Sequence, residues 1–421
     1  MSYFHLNFIL KGKLTVCCLL MLSVMPLNAQ REAKQIGDFK ESISLNEHLR
    51  GTKRTLQYRP DGDEFVCVNG KNRYTRALYG SHSPFRVETS DRPVFAFYNN
   101  GRGGNISFKV ILRDGTELAL DCTGHCESRY SAGKRTYYLT DPSWGKGELR
   151  ISVLALADMD GAIWRFSPSN MPKGAILRWQ HGGATGKRLS RNGDMGVDPA
   201  DCFELPVEAT DLVTGELSLQ KEVYLVRGEV PEGYNVRKLY QQAEAASLAL
   251  ASHLKIETPD PYLNTLGGAL VAAADGIWDG QVWLHGAIGW RMPLSGWRAG
   301  YTGDALGWHD RARTHFDAYA ASQVTDVPNT IPHPAQDSTM NLARSDKRWG
   351  TPQYSNGYIC RNPERNNQMH HYDMNLCYMD ELLWHFNWTG DTAYVRKMWP
   401  VITRHLAWEK LNYDPDNDGL Y

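Results

Sequence analysis

Asp304 and Glu381 are the carboxyl groups whose surroundings best suit acid–base chemistry in this sequence of 421 residues. Asp304 closes a Thr-Gly-Asp step inside Trp283–Asp310, a stretch that also carries Trp283, Trp290, Trp297, Trp308, Arg291, Arg298 and Tyr301. Flat aromatic faces beside guanidinium groups and a carboxylate are what a sugar-binding cleft requires. Trp283, Trp290, Trp297 and Trp308 either stack on sugar rings or belong to the core. Trp308 follows the apolar spacing of a helix and reads as core, whereas Trp297 in its irregular loop is the better platform. Trp290 and Tyr301 are further expected substrate-binding residues. Arg291 and Arg298 either pair with a carboxylate on a ligand, which would make it a uronic acid or another anionic sugar, or are satisfied by an internal Asp or Glu.

Glu381 lies one helical turn from Cys377 and from Trp384, on a segment that also carries Trp388. A carboxyl group among aromatic rings has its pKa raised, as a general acid needs. Its neighbour Asp380 points about 100° away and reads as solvated. Asp304 also has a purely structural explanation, because a first-turn aspartate caps a helix and complements its dipole. A second Thr-Gly-Asp, Thr389–Asp391, starts another helix in the same way. Asp373, with His370 and His371, reads as a capping cluster. No cofactor is implied and no metal-ligand set is complete. Cys122 and Cys126 flank His125 at a spacing unlike zinc knuckles, and read as turn residues or one local disulfide.

The elements that must hold these residues fall into two kinds. From Thr55 to Arg227, short alternating runs such as Ile106, Phe108, Val110 and Leu112 are separated by Asp-Gly turns, which predicts about a dozen strands in an antiparallel sandwich. Asn235 caps a helix bearing Leu239, Ala243, Ala246, Leu250 and Leu254, a stripe suited to a linker between domains. Pro261 opens the next helix, with Tyr262, Leu263, Leu266, Leu270 and Ala274 as its apolar face. A helix is expected from about Thr302 to Val324, using Ala305, Trp308, Ala312, Phe316 and Tyr319. A long loop follows, Thr325 to Met369, and then a helical hairpin from His371 to Leu411 whose last helix buries Val395, Trp399, Ile402 and Leu406. The fold class is therefore β then α. The boundaries expected are a signal peptide at 1–30, a sandwich at 31–235, a linker helix at 236–258 and a helical-hairpin domain at 259–421.

Composition bounds the rest. Lys11 and Lys13 before the apolar run Leu14–Leu27, with Asn28-Ala29-Gln30 after it, read as an export signal, so the expected location is periplasmic or extracellular. Removing residues 1–30 takes away two lysines and no acid, moving the formal charge from −1 to −3. A chain so balanced, without a basic block, has no electrostatic footprint for nucleic acid. No later run is long and apolar enough to cross a bilayer. Ten of the 13 tryptophans lie after Pro259, so the ring-rich surface belongs to the helical half. The expected partner is an oligo- or polysaccharide, and oligomeric state is not legible.

The order of elements resembles that of the six-hairpin glycosidases, whose catalytic (α/α)6 barrel follows a β-sandwich. Arg291–Asp304, RMPLSGWRAGYTGD, resembles the active-site segment of the glycoside hydrolase family 78 rhamnosidases, Asp-Cys-Pro-x-Arg-Asp-Glu-Arg-x-Gly-Trp-x-Gly-Asp. Pro293, Arg298, Gly300, Gly303 and Asp304 match it, with Tyr301 in place of tryptophan. The β-domain, with its run Asn72–Gly80, resembles an exported bacterial family known as domain of unknown function 4450. The resemblance implies a glycoside hydrolase, but Gly296 and Trp297 stand where the pattern keeps its acid pair, and Arg291 stands where it keeps its leading aspartate. A full ring needs about twelve helices and residues 259–421 supply four clear ones, so the chain is expected to be part of a longer protein. Asp414–Gly419 resembles the start of a calcium loop, and reads better as an interhelical turn. The alternatives to an exo-acting hydrolase are a non-catalytic carbohydrate-binding protein, or an inactive fragment of such an enzyme. A lyase is the third, against which the β-first order counts.

Overall fold

The structure is a computed structural model. It describes residues 57–71, 76–99, 102–182, 212–230, 232–286, 291–325, 330–332, 352–354, 356–363, 373–414 and 417–419. The account below concerns the unit Tyr58–Tyr421. The expected signal peptide, Trp290, Cys202, His370, His371 and most of the 325–369 loop lie outside the described residues.

Alternation in Arg102–Ile111 turns Ile106, Phe108 and Val110 to one side, and all three are buried. That strand lies in a sheet ordered Val213–Ser218, Ile176–Gly182, Arg102–Ile111, Phe95–Asn99, Arg86–Thr89 and Arg76–Leu78, with Glu117–Ala119 also paired to it. The second sheet runs Arg59–Asp61, Glu64–Val68, His125–Ser131, Lys134–Thr140, Glu148–Ala155, Gly161–Ser169 and Val223–Gly228. Every pairing is antiparallel, and hairpins supply most neighbours. The two inner faces meet in one core. Trp164 packs edge-on to Phe95 at 5.6 Å between centroids, and Phe108 to Phe166 at 5.2 Å. Burying rings of this size contributes about 1.5–3 kcal/mol each. The predicted sandwich is present, with more strands than the sequence showed. Cys126 is buried within a strand, and none of the five described cysteines is in a disulfide, so the local Cys122–Cys126 bridge does not form.

Six helices follow: α1 (Val236–Ala251), α2 (Pro261–Gly276), α3 (Gly300–Ala305), α4 (His309–Ala321), α5 (Asp373–Thr389) and α6 (Thr392–Tyr413). Their starts are set by side-chain caps: Asn235 accepts from Lys238 N, Asp260 from Tyr262 N, and Asp391 from the N–H groups of Ala393 and Tyr394. α1 lays Leu239, Tyr240 and Ala243 on Leu154, Leu156 and Ile163, covering the outer face of the second sheet. Ala246 of the expected stripe is exposed.

Three expectations about helix faces are corrected. α2 exposes Leu263 and Leu270 and buries Gly267, Val271, Ala272, Ala274 and Gly276, because small residues let the helix approach its neighbours closely. The helix expected from Thr302 to Val324 is broken into α3 and α4 at Leu306–Trp308, where Gly307 takes φ +72°. Ala312, Phe316 and Tyr319 are buried as expected, but Ala305 is exposed. α6 exposes Trp399 and Leu406 and buries Tyr394, Met398, Ile402, His405, Trp408 and Glu409, a face turned from the one predicted.

Asp275, near the end of α2, ties the helices to the sandwich. Its carboxylate accepts from Tyr79 Oη at 2.9 Å and from Arg311 at 2.6 Å, and meets His82 Nε2 at 3.3 Å. Tyr79 belongs to the arginine- and tyrosine-rich run Asn72–Gly80, so that run reaches the end of α2; its first residues, 72–75, lie outside the described set. Burial pushes the Asp275 carboxyl up, but hydrogen bonds from His82, Arg311 and Tyr79 outweigh it and leave the pKa at about 2. The folded value lies below the unfolded one, so this contribution is complete above pH ~4. It drains away as pH falls to about 2. Urea midpoints should therefore fall between pH 5 and pH 2 by the equivalent of about 2 kcal/mol. Asp275→Asn should be less stable at pH 6 and lose most of that slope; an unchanged slope would refute the assignment.

Candidate functional site

The site is built where α3 runs alongside α5. Gly300 N donates to Glu381 Oε2 at 3.2 Å, and one turn further along both helices His385 Nδ1 meets Asp304 Oδ1 at 2.8 Å and Oδ2 at 2.9 Å. The two sequence-predicted carboxyl groups thus sit on successive levels of one helix pair, about 5.4 Å apart along the axis. Tyr301, beside Gly300, donates its hydroxyl to Asp380, beside Glu381.

Asp304 is buried at 3% exposure, and its Oδ1 also meets His309 Nδ1 at 2.7 Å. His385 is fully buried and His309 keeps a half-open ring. These three residues place their ligating atoms within 4.8 Å of one another, a set that could in principle hold a metal ion. The separations of 2.7–2.9 Å are those of direct N–H···O bonds. Donors of a tetrahedral zinc ion stand farther apart, about 3.3 Å given bonds of about 2.05 Å. As arranged, Asp304 is a buried acceptor that orients two imidazoles.

Glu381 is buried at 1% exposure. Desolvation by burial, and then the nearby Asp380 charge, raise its carboxyl; N–H groups of Gly300 and Arg298 oppose this, and the result is a pKa of about 8. The expected direction is found, but its expected cause is not: Trp384 and Trp388 are half exposed, and the helix-on-helix contact does the desolvating. Oε1 of Glu381 has no hydrogen-bond partner among the described residues.

A cavity of about 410 Å³ opens beside this pair, lined by Arg298, Tyr301, Leu376, Cys377 and Asp380. Arg298 takes φ +63°, a left-handed conformation costly for a residue with a Cβ. Trp297, 48% exposed, sets its ring edge-to-face against His285 at 4.4 Å. Asp380 is exposed, as the sequence suggested, and lines the cavity. Arg291 does not join it. Its guanidinium donates to the carbonyls of Gly276 (3.0 Å), Trp278 (3.2 Å) and His82, bracing α2 against the sandwich. Trp283 is buried among Trp278, His315 and Gly303 and serves the core. Trp308 packs partly buried against the same core, stacked on His253. In the terminal turn, Asp414 Oδ1 accepts from Gly419 N at 3.2 Å, in keeping with a turn, while Asp416 lies outside the described residues.

Gly296 is sterically confined. A Cβ there would lie 1.9 Å from Met374 O and 2.5 Å from Tyr378 N, both backbone atoms of α5. No side chain fits, so no acid can stand at that position.

With this β-then-α fold and its helix-pair site in view, comparison with known proteins adds little detail. The profile of the family described as Domain of unknown function (DUF4450) matches residues 100–230, within the sandwich. No curated protein matches. Among solved structures, a bacterial glucoamylase complexed with acarbose is similar at 8% identity and a TM-score of 0.38, over 64% of this chain and 52% of that one. The chain thus spans about half the length of that glucoamylase.

Proposed function

We propose that this is an exported carbohydrate-active protein of the glycoside hydrolase type that takes an oligo- or polysaccharide into the cavity beside α3 and α5. The observation that carries the reading is a carboxylate-lined cavity directly over a buried carboxyl group on α5. Asp380 lines the cavity with a hydroxyl partner, and burial holds the carboxyl of Glu381, next to it, up at about 8. Glycoside hydrolysis takes one ionised and one protonated carboxyl group, on either side of the scissile bond. Trp297 offers an apolar ring and Arg298 a cation at the mouth. The export reading rests on Lys11, Lys13 and the apolar run Leu14–Leu27.

A second reading, capture without cleavage, is favoured by one fact: Glu381 and Asp304 are both sealed from the cavity by packing. Incubation with a panel of plant and host glycans, read by released reducing sugar and by calorimetric binding, separates the two. For a hydrolase, Asp380→Asn and Glu381→Gln each lower kcat/KM by at least 100-fold, the order expected for an acid or base. The wild-type rate should hold level up to pH about 8 and fall above it, as Glu381 loses its proton. Binding without sugar release, unchanged in Glu381→Gln, selects capture; neither binding nor release overturns the carbohydrate reading.

A further inference from the structure

Arg298 is the cation that lines the cavity. It stands exposed at the wall, and no hydrogen bond or ion pair links its guanidinium to another described residue. Asp380 lines the same cavity, yet its recorded partner is Tyr301 and not Arg298. A cation and an anion that share a cavity of about 410 Å³ without pairing are both left able to meet a ligand. The backbone that presents Arg298 is also held in place from below. Its φ of +63° is a glycine's conformation, and the buried Glu381 carboxyl accepts the N–H groups of Arg298 and Gly300, fixing the loop in that shape. A guanidinium presented from a strained backbone, with no hydrogen bond or ion pair among the described residues, is placed to meet a ligand.

We infer that the sugar taken by this cavity carries a carboxylate, a uronic acid unit, which Arg298 receives through its planar fork while Asp380 accepts from the sugar's hydroxyl groups. The inference rests on the carbohydrate reading of the site. Arginine matches a carboxylate with two parallel N–H···O bonds, a geometry that lysine cannot supply. Asp380 stays compatible with a negatively charged sugar because its role is toward neutral hydroxyls, and because the Tyr301 hydroxyl it accepts from spreads its charge.

Binding of glucuronic- and galacturonic-acid oligosaccharides, set beside glucose and galactose oligosaccharides of equal length, tests it by calorimetry on the whole chain. The acidic set should bind at least tenfold more tightly, and the margin should shrink between 50 and 500 mM salt. Arg298→Ala and Arg298→Lys should each bring the two sets together. Arg298→Gly should do the same while raising Tm slightly, since glycine adopts φ +63° without strain, so loss of preference cannot be put down to misfolding. Equal or tighter binding of the neutral set, or a preference that survives Arg298→Ala, overturns the inference and leaves the carbohydrate site standing. Binding of neither set overturns both.

Discussion

Replacing Asp304 by alanine is expected to lower the stability of the helical part by about 3 kcal/mol, the order seen when one member of a buried polar pair is removed. The cost arises at His385. That ring is wholly buried between Phe316 and Tyr394, and without Asp304 its Nδ1 loses the carboxylate that it meets at 2.8 and 2.9 Å. His309 is in a different position, because its half-open ring can turn to water. His309→Ala should therefore cost under about 1 kcal/mol, as a solvent-facing ion pair does. Asp304→Asn should fall between the two, since the amide oxygen can still accept from one imidazole. Urea unfolding followed by tryptophan fluorescence reads this directly, ten of the 13 tryptophans lying after Pro259. An Asp304→Ala midpoint equal to wild type, or a His309→Ala loss as large, would sink the assignment of Asp304 as the acceptor for two rings. The experiment also decides between chemistry and architecture at this residue. A large stability loss with sugar binding intact at permissive temperature would make Asp304 a positioning residue for α5.

The architecture was legible where side chains obey a simple period. Ile106, Phe108 and Val110 alternate, Asp114-Gly115 turns, and Asn235, Asp260 and Asp391 cap, so strands, hairpin and helix starts follow from local rules. Helix faces were misread for one physical reason. Periodicity counts apolar residues, whereas α6 buries His405 and Glu409, 3.2 Å apart, and α2 buries glycines and alanines, leaving leucines outside. The candidate site was partly legible. Glu381 and Asp304 stood out by their neighbours in sequence, but their partners Gly300, His309 and His385 are supplied by packing between helices. Asp380 was set aside because a residue next to a buried one on a helix points away; it points away from Glu381 into the cavity. Arg291 and Arg298 could not be separated in one dimension. One turned out to be satisfied by backbone carbonyls, and the other has no such bonds among the described residues.

Gly296→Ala should be among the most damaging single substitutions in the chain, costing about 3 kcal/mol or more, because its methyl group has no volume to occupy. The atoms it meets, Met374 O at 1.9 Å and Tyr378 N at 2.5 Å, are main chain of α5 and cannot swing aside as a flexible side chain would. α5 would have to move as a body, and it carries Asp380, Glu381 and His385 together. The variant should therefore lose stability and any sugar binding in parallel. Gly296→Glu, which would place an acid where the rhamnosidase pattern has one, should fare worse still. Trp297→Glu supplies the contrast: at 48% exposure it should fold with a stability change within about 0.5 kcal/mol, even as it removes an exposed ring. Thermal unfolding and soluble yield of the three variants check this, and a Gly296→Ala protein that melts with wild type would remove the steric argument. If the expected order holds, no single substitution could place an acid at residue 296. The close seating of α5 on residue 296 and a carboxyl group at residue 296 are mutually exclusive. The carboxyl groups that α5 itself brings beside this seam are Asp380 and Glu381.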